Sequence, residues 1–205
     1  MVQINFAFLC EGTSDEPLLS LIRLLIIEAG GTRVAGEVVA LPGSVRDKLR
    51  VLNSAATNYD LIFVHRDADS RDCEDRHLEI STAAGEIDSA CPVIGVVPVQ
   101  TTEAWLLTSE QQIREVAGRS RGREDLGLPR IPAIERLADP KSVLKAAYLA
   151  ATASTGRRRG AAERLFVQRR ATLLERLDPK GAVSELPSFR RLKEDIGDAV
   201  ASMGL

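Results

Sequence analysis

The chain has 205 residues, of which 44% are apolar, 27% are charged and only 4% are aromatic. This composition is typical of a globular protein with an aliphatic core, and it argues against a stacking platform for single-stranded nucleic acid. The amino terminus lacks the basic start of a signal peptide, and no apolar run approaches the ~18 residues of a membrane span. We therefore expect a cytoplasmic protein without a membrane partner. Cys10, Cys73 and Cys91 share no metal-ligand spacing, and we interpret them as reduced, buried thiols.

The formal net charge of -2 is the sum of two halves of opposite sign. Residues 1–110 contain 8 Lys and Arg against 17 Asp and Glu, a net charge of -9, whereas residues 111–205 contain 19 against 12, a net charge of +7. An acidic half suits a bound cation, and a basic half suits a polyanion. The alternative interpretation is that the arginines lie on solvated helix faces.

The first hundred residues alternate between strand and helix patterns. The predicted strands are 3–10, 37–41, 61–64 and 93–99. The first predicted helix covers about 13–29 and begins with a capping-box pattern at Thr13 and Glu16. A second helix is predicted at 44–54, a third between the acidic loop 70–75 and about residue 89, and a fourth starting at 101–103. This alternation predicts an α/β fold with a four-stranded, mostly parallel, Rossmann-like sheet flanked by helices.

The chain changes character after residue 110. A polar loop rich in Gly and Arg at 118–127 is followed by helical patterns only. These patterns cover 141–151, 161–177 and 189–203, and each is preceded by Pro or Gly. We therefore divide the chain into an α/β core, residues 1–110, and a helical extension, residues 111–205, packed on that core.

The stretch 59–69, which reads YDLIFVHRDAD, carries the strongest chemical signal. An apolar run at 61–64 is typical of a central parallel strand, and it is followed by Asp67 and Asp69. Ligands of open α/β sheets bind beyond the carboxyl ends of the strands. Two acids at that place suit a hard divalent cation such as Mg2+. The alternative is a solvated acidic turn that ends the strand.

Four carboxylates are predicted to meet at one edge of the sheet. The first strand ends at Glu11 and the third at Asp67, and these two strands are neighbours across the switch point of a doubly wound sheet. Glu11, Asp67 and Asp69 then converge, and Glu103 arrives from the end of the fourth strand. Asp15 is explained by the dipole of the helix that follows it, but Glu11 lies before the glycine turn and has no such local role.

These motifs resemble the TOPRIM domain of topoisomerases, primases and nucleases of the overcoming-lysogenization-defect type. The resemblance covers about residues 1–110, and it rests on EGTSD at 11–15 after the first strand and DAD at 67–69 after an apolar strand. The longer layout looks like a family of bacterial TOPRIM-like proteins. The features that carry this second likeness are TEAWLL at 102–107, DPK at 139–141 and LPSF at 186–189.

The resemblance implies a metal-dependent nuclease that hydrolyses phosphodiester bonds with Mg2+ or Mn2+. Glu11 matches the glutamate that serves the family as general base or acid, or as a metal ligand. Asp67 and Asp69 match the paired aspartates that hold Mg2+, and Glu103 is carried over as an accessory metal ligand. No tyrosine stands in a topoisomerase-like context, so we expect hydrolysis without a covalent tyrosyl intermediate.

The basic extension is expected to hold the phosphate backbone of a nucleic acid without reading its sequence. The candidate contacts are Lys141, Arg157, Arg158, Arg159, Arg169 and Arg170. Either Lys141 or Arg66 is expected to offset charge at the phosphate. The alternative for residues 157–159 is an exposed loop before a helix.

Two other classes of function remain open. A receiver-like phosphoacceptor domain also places an acid after its third strand and a Ser or Thr after its fourth, here Thr101 or Thr102. A non-catalytic or partner-dependent interaction module of a defence or repair system is the other alternative. The helix at 18–27 supports it, because this helix is apolar on nearly every face and implies deep burial, a protein partner or a homodimer.

Overall fold

The computed structural model describes residues 3–55, 58–89 and 91–204, and it contains one four-stranded sheet with helices on both faces. All three strand pairs are parallel, which confirms the predicted α/β fold. In chain order the elements are β1 (Gln3–Leu9), a 3-10 turn (Thr13–Asp15), α1 (Leu18–Glu28), β2 (Arg33–Val38), α2 (Val45–Ser54), β3 (Leu61–His65), α3 (Glu74–Glu86), β4 (Val93–Val96), α4 (Glu103–Leu106), α5 (Glu110–Val116), α6 (Ile131–Ile134), α7 (Pro140–Thr152), α8 (Gly156–Glu175), a second 3-10 turn (Ala182–Glu185) and α9 (Pro187–Ser202).

The strand order is β2-β1-β3-β4, so β1 and β3 are neighbours at the centre of the sheet. Side chains alternate between the two faces, as strand geometry requires. Phe6 of β1 faces one hydrophobic cluster and packs edge-to-face against Phe63 of β3, with ring centroids 5.4 Å apart. Ala7 and Leu9 face the opposite cluster, which α2 and α3 cover.

The helices after residue 110 cover the same face of the sheet as α1. Their core residues belong to one hydrophobic cluster with β1, β3 and α1. Trp105 and Phe189 lie at its centre, both fully buried, and the indole Nε1 of Trp105 donates a 2.9 Å hydrogen bond to Ser188 Oγ. Most of the apolar surface of α1 is therefore covered within the chain. Leu24 and Ile27 remain about half exposed.

The second strand begins earlier than the sequence pattern suggests. It was predicted at 37–41, but β2 pairs with β1 from Arg33 to Val38. Gly30, with φ 114°, turns the chain directly after α1, and the strand starts at once. Gly36 then lies against the ring of Phe6, where a Cβ atom would come within 2.1 Å of Phe6 Cζ. This glycine permits a close packing contact inside a strand.

Several other boundaries differ from the predictions. The capping box is absent: Thr13 opens a short 3-10 turn without a side-chain cap, and α1 starts after Pro17. The fourth strand ends at Val96, before Pro98. The helix predicted from 101 is two short helices, α4 and α5, and α6 was not predicted.

The long helix α8 starts at Gly156, five residues before its predicted beginning, and Gly160 lies inside it. Arg157, Arg158 and Arg159 therefore belong to the first turn of a helix, and the loop interpretation of these residues is wrong. Cys10, Cys73 and Cys91 are free and partly exposed rather than buried. Within the described ranges, no helix combines the length and apolar character needed to cross a bilayer.

Candidate functional site

The two central strands bring Glu11 and Asp67 together. In the parallel pairing of β1 with β3, Leu9 lies beside Val64, so both chains leave the sheet at the same edge. Each acid follows its strand by two residues. The backbone N–H of Asp67 donates to Glu11 Oε2 across 3.4 Å. Glu11 and Asp67 therefore follow neighbouring strands at the switch point of the sheet, and they are in contact through the Asp67 N–H.

Asp67 is fixed from one side only. Its Oδ1 atom accepts hydrogen bonds from the backbone N–H of Thr102 (3.0 Å) and from the Thr102 hydroxyl (3.2 Å). The same oxygen lies 3.5 Å from Nε2 of His65. Its second oxygen, Oδ2, has no recorded hydrogen bond or ion pair within the described part of the chain, and the side chain is 23% exposed. Asp67 is thus oriented by three contacts while one oxygen is left for a ligand.

Glu11 belongs to a chain of charges of alternating sign. Its Oε1 atom lies 2.7 Å from Arg66 Nε, and Arg66 also pairs with Glu79 at 3.0 Å. Glu79 pairs with Arg76 at 3.0 Å, and Arg76 reaches Asp69 at 3.5 Å. The two arginines offset two of the three negative charges in this chain, so one negative charge remains. The five side chains are between 22% and 69% exposed, so the whole chain of charges is accessible to water and ions.

Asp69 lies at the outer end of this chain of charges. Its backbone has φ 52°, a left-handed conformation that Asp tolerates better than most residues. The Asp69 N–H donates to the carbonyl of Gln100, and the Gln100 N–H donates to the carbonyl of Ser70, both at 2.9 Å. These two bonds join the loop after β3 to the loop after β4. Among the described residues, no three His, Cys, Asp or Glu side chains form a group that could hold a metal ion, so Asp69 does not complete the predicted three-acid set with Glu11 and Asp67.

Glu103 has a different environment from the one predicted. It is 3% exposed, and its Oε1 atom accepts a 2.7 Å hydrogen bond from Arg170 Nε. Arg170, which was predicted to contact nucleic acid, is itself buried, and it also donates to Asp15 Oδ1 at 2.8 Å and to the Ser14 carbonyl at 2.7 Å. A buried guanidinium requires carboxylate partners, and these two acids supply them. Glu103 and Arg170 therefore neutralise each other, and neither is available for the ligand role predicted for it.

The pKa values of this buried cluster reflect its pairing. Burial alone would raise the pKa of Asp15, but attraction to His65 and the hydrogen bond from Arg170 outweigh it, so the pKa lies below its usual value. Burial alone would lower the pKa of Arg170, but Glu103 and Asp15 outweigh it and raise the pKa. Both groups are charged at neutral pH.

Thr102 connects the buried cluster to the exposed acids. Its hydroxyl oxygen lies 3.0 Å from His65 Nε2, 3.2 Å from Asp67 Oδ1 and 3.4 Å from Asp15 Oδ1. The hydroxyl has one proton to donate, so it serves only one acid at a time. His65 is buried, and its Nδ1 forms no hydrogen bond with a described residue. The orientation of Asp67 thus depends on residues buried beneath the surface.

Sequence reasoning missed part of this arrangement. Asp15 was assigned to a helix dipole, yet it stands in the same EGTSD motif as Glu11 and binds Arg170. Arg76 and Glu79 were not singled out, although their spacing on α3 is that of a helical ion pair. Thr102 was considered as a phosphoacceptor partner, as part of a helix start and as part of the TEAWLL motif, but not as a residue that orients Asp67.

The donor set fits one kind of metal ion better than others. Among the described residues, no three His, Cys, Asp or Glu side chains are arranged as a ready-made metal site. Mg2+ does not need such a cage, because it commonly binds one or two carboxylates, several waters and the phosphate of a substrate. Glu11 and Asp67 offer carboxylate oxygens of that type from the ends of neighbouring strands. Zn2+ favours nitrogen and sulfur ligands, which this pair does not supply.

The residues predicted to contact nucleic acid differ in their exposure to solvent. Lys141 at the start of α7 is exposed, as are Arg157, Arg158, Arg159 and Arg169 of α8. Arg159 lies 3.9 Å from Glu163 of the same helix. Arg170 ties α8 to Asp15, and α8 contacts the 3-10 turn after β1 that contains Asp15.

A cavity of about 430 Å3 lies between α3, β4 and α9, and its lining does not include the acid pair. His77 and Arg191 line it. Burial, together with the positive charge of Arg191, lowers the pKa of His77 to about 4. The imidazole is therefore neutral at physiological pH.

The chain was compared with protein-family models, curated proteins and solved structures, and none of them matches it.

Proposed function

We propose that this protein is a TOPRIM-like, Mg2+- or Mn2+-dependent phosphodiester hydrolase acting on nucleic acid. The observation that supports the proposal most strongly is that Glu11 and Asp67 follow neighbouring strands at the switch point and touch through the Asp67 N–H, while Asp67 Oδ2 has no partner among the described residues. Carboxylates in this position are suited to an ion that keeps much of its water shell and binds a substrate phosphate at the same time.

In this proposal Glu11 and Asp67 would hold the ion, with Asp69 as the further acid of the predicted set. A bound divalent cation lowers the pKa of a coordinated water and polarises the phosphate. Thr102 keeps Asp67 in place through two hydrogen bonds. Because buried Thr102 already orients the Asp67 carboxylate, less entropy is lost in arranging the site when the substrate binds.

The arginines of the edge have a second role in the proposed reaction. Arg66 pairs with Glu11 at 2.7 Å, and a cation bound to Glu11 would compete with that pair. Arg66 would keep its pair with Glu79, and its Nε would become available to a phosphate oxygen, which a guanidinium binds much as it binds a carboxylate. The exposed arginines of α8 and Lys141 hold the strand on either side by sequence-independent contacts.

The proposal is tested by incubating the protein with supercoiled plasmid, single-stranded DNA and single-stranded RNA in Mg2+ or Mn2+. We expect cleavage of at least one substrate by the wild type, and its loss in Asp67→Asn and Glu11→Gln. Asp75→Asn is the matched control, because Asp75 is an exposed acid of α3 with no recorded ion pair in the described residues. Equal cleavage by Asp67→Asn and the wild type would contradict the proposal.

A phosphoacceptor role for Asp67 is the second candidate function. It is favoured by the contact between Asp67 and Thr102, which follows β4 as the corresponding residue of a receiver does. The described part of the chain has four strands, so the lysine that follows the fifth strand of a receiver has no counterpart there. Incubation with acetyl phosphate and Mg2+, followed by mass spectrometry, separates the two candidates. A phosphoryl group on Asp67 would support the second.

A further inference from the structure

The cavity between α3, β4 and α9 lies along a free edge of the sheet. The strand order places β4 at the end of the sheet, with β3 as its one neighbour among the described strands. Four successive residues, 92–95, line the cavity. An extended chain of four residues covers about 13 Å. The cavity is therefore a groove beside a strand, and the helices α3 and α9 form its walls.

The backbone of β4 has unpaired hydrogen-bonding groups on the side of this groove. Toward β3, the Pro92 carbonyl accepts a 3.0 Å hydrogen bond from the Ile62 N–H. Successive residues of a strand direct their backbone groups to opposite sides, so the N–H and C=O groups of Val93 and Gly95 point away from β3. No partner is recorded for these four groups within the described ranges. An edge of this kind is a template for a further strand.

The α9 wall of the groove carries negative charge. Asp195 and Asp198 line it, and neither has a recorded hydrogen bond or ion pair with a described residue. Glu74 of α3 pairs with Arg191 of α9. Because His77 is neutral, three acids and one arginine give the lining a formal net charge of -2. Burial raises the pKa of Asp195, so a cation beside this partly desolvated carboxylate would be stabilised.

The α3 wall of the groove is apolar at its rim. Leu78 lines the groove and is 65% exposed. Ile80 lies deeper, and a Cβ atom at Gly95 would come within 3.2 Å of its Cδ1 atom. An added strand directs alternate side chains to opposite sides. A segment in this groove would therefore present one set of side chains to Leu78 and the other set to Asp195.

We propose that the free edge of β4 binds an extended, basic segment of a partner protein as a fifth strand. Its backbone would pair with Val93 and Gly95. Alternate Lys or Arg side chains would meet Asp195 and Asp198, and the apolar residues between them would cover Leu78. A second copy of this chain is a poorer occupant, because two β4 edges would bring the same acids together. The inference goes beyond the proposed hydrolase and does not depend on it.

The first test is the titration of the protein into a fluorescent, capped heptapeptide that alternates lysine and valine, followed by fluorescence anisotropy. We expect saturable binding to the wild type and about tenfold weaker binding to Asp195→Asn, because a charge-assisted contact is lost. Glu194→Gln is the matched control, since Glu194 is an exposed acid of α9 that does not line the groove. Circular dichroism verifies that each variant is folded.

Modified peptides separate backbone pairing from charge attraction. A peptide with glutamate in place of lysine should not bind, because the groove is acidic. Methylating the backbone nitrogens of all the lysines, or of all the valines, keeps the charge and removes one alternate set of N–H donors. We expect only one of these two peptides to lose binding, since only one set of backbone groups faces β4.

The second test locates the peptide by amide hydrogen exchange, measured by NMR spectroscopy. We expect the lysine and valine peptide to slow exchange at the N–H groups of Val93 and Gly95, which face the groove. Exchange at Ile62 should stay unchanged, because its N–H already donates to the Pro92 carbonyl. Sedimentation of the protein without peptide shows whether a second copy occupies the edge.

Three results would overturn the inference. The first is a wild type that does not bind the lysine and valine peptide, or that binds both methylated peptides as well as the unmodified one. The second is equal binding by Asp195→Asn and the wild type, or slowed exchange confined to other elements. The third is a dimer that protects Val93 and Gly95 in the absence of peptide, because the occupant is then a second copy of the chain.

Discussion

Two clusters of acids and arginines lie side by side at the same edge of the sheet, and they differ in access to water. In the buried cluster, Arg170 is held between Asp15 and Glu103, with side-chain exposures of 10%, 9% and 4%. In the exposed cluster, Glu11 and Arg66 are 39% and 22% exposed. Residue type alone does not distinguish them. Burial fixes the pairing in the first cluster, whereas water and ions can reach the side chains of the second.

The buried cluster should be the more sensitive to mutation. We expect Arg170→Met to lower the free energy of unfolding by about 3–5 kcal/mol, because two buried carboxylates lose their cation. Urea denaturation measures the change. The triple variant Arg170→Met, Asp15→Asn, Glu103→Gln should recover part of the loss, since no buried charge is then left unpaired. A loss below about 1 kcal/mol in the single variant would show that the cluster is solvated.

Removing one charge of the same cluster should have an intermediate, pH-dependent effect. Asp15→Asn should cost about 1.5–3 kcal/mol at neutral pH, where the carboxylate accepts a charge-assisted hydrogen bond. The folded pKa of Asp15 lies below 3.8, the value for an unperturbed Asp. The stabilising contribution of Asp15 is therefore complete above pH 3.8, and it is lost as the pH falls from that value through the lower, folded pKa. The difference in free energy of unfolding between the wild type and Asp15→Asn should therefore decrease in acid. An increase of this difference on acidification would contradict the pairing of Asp15 with Arg170.

The smallest effect is expected in the exposed cluster. Arg76→Met removes the pairs with Glu79 and Asp69, whose partners are 33% and 69% exposed. Such pairs contribute less than about 1 kcal/mol, and salt screens them further. Urea denaturation at low and high salt measures the difference. A decrease in the free energy of unfolding as large as that of Arg170→Met would contradict the proposed difference between the two clusters.

The sequence predicted the parts of this edge that depend on local pattern. The apolar run at 61–64 and the alternation in β1 were sufficient to place both strands, and the switch-point rule then placed Glu11 beside Asp67. These inferences need only strand periodicity and the handedness of parallel connections. The same reasoning reached the exposed position of Arg157–Arg159, but not their place inside a helix.

The parts that were missed depend on contacts between distant segments. Arg170 was predicted to hold a phosphate backbone as part of the basic extension, but it is buried because α8 packs on the core. Its partner Asp15 is 155 positions away in the sequence. Glu103 was misassigned for the same reason. The position of β2 depended on the fit of Gly36 against the ring of Phe6, which propensity cannot show.

The central claim is that Glu11 and Asp67 form a divalent cation site. Calorimetric titration of Mg2+ and Mn2+ into the wild type, Glu11→Gln, Asp67→Asn and the control Asp75→Asn tests it most directly. We predict binding at millimolar affinity or better to the wild type and the control, and a loss of at least about tenfold in each of the other two variants. A wild type that binds neither ion, or an Asp67→Asn variant that binds them equally well, would contradict the account.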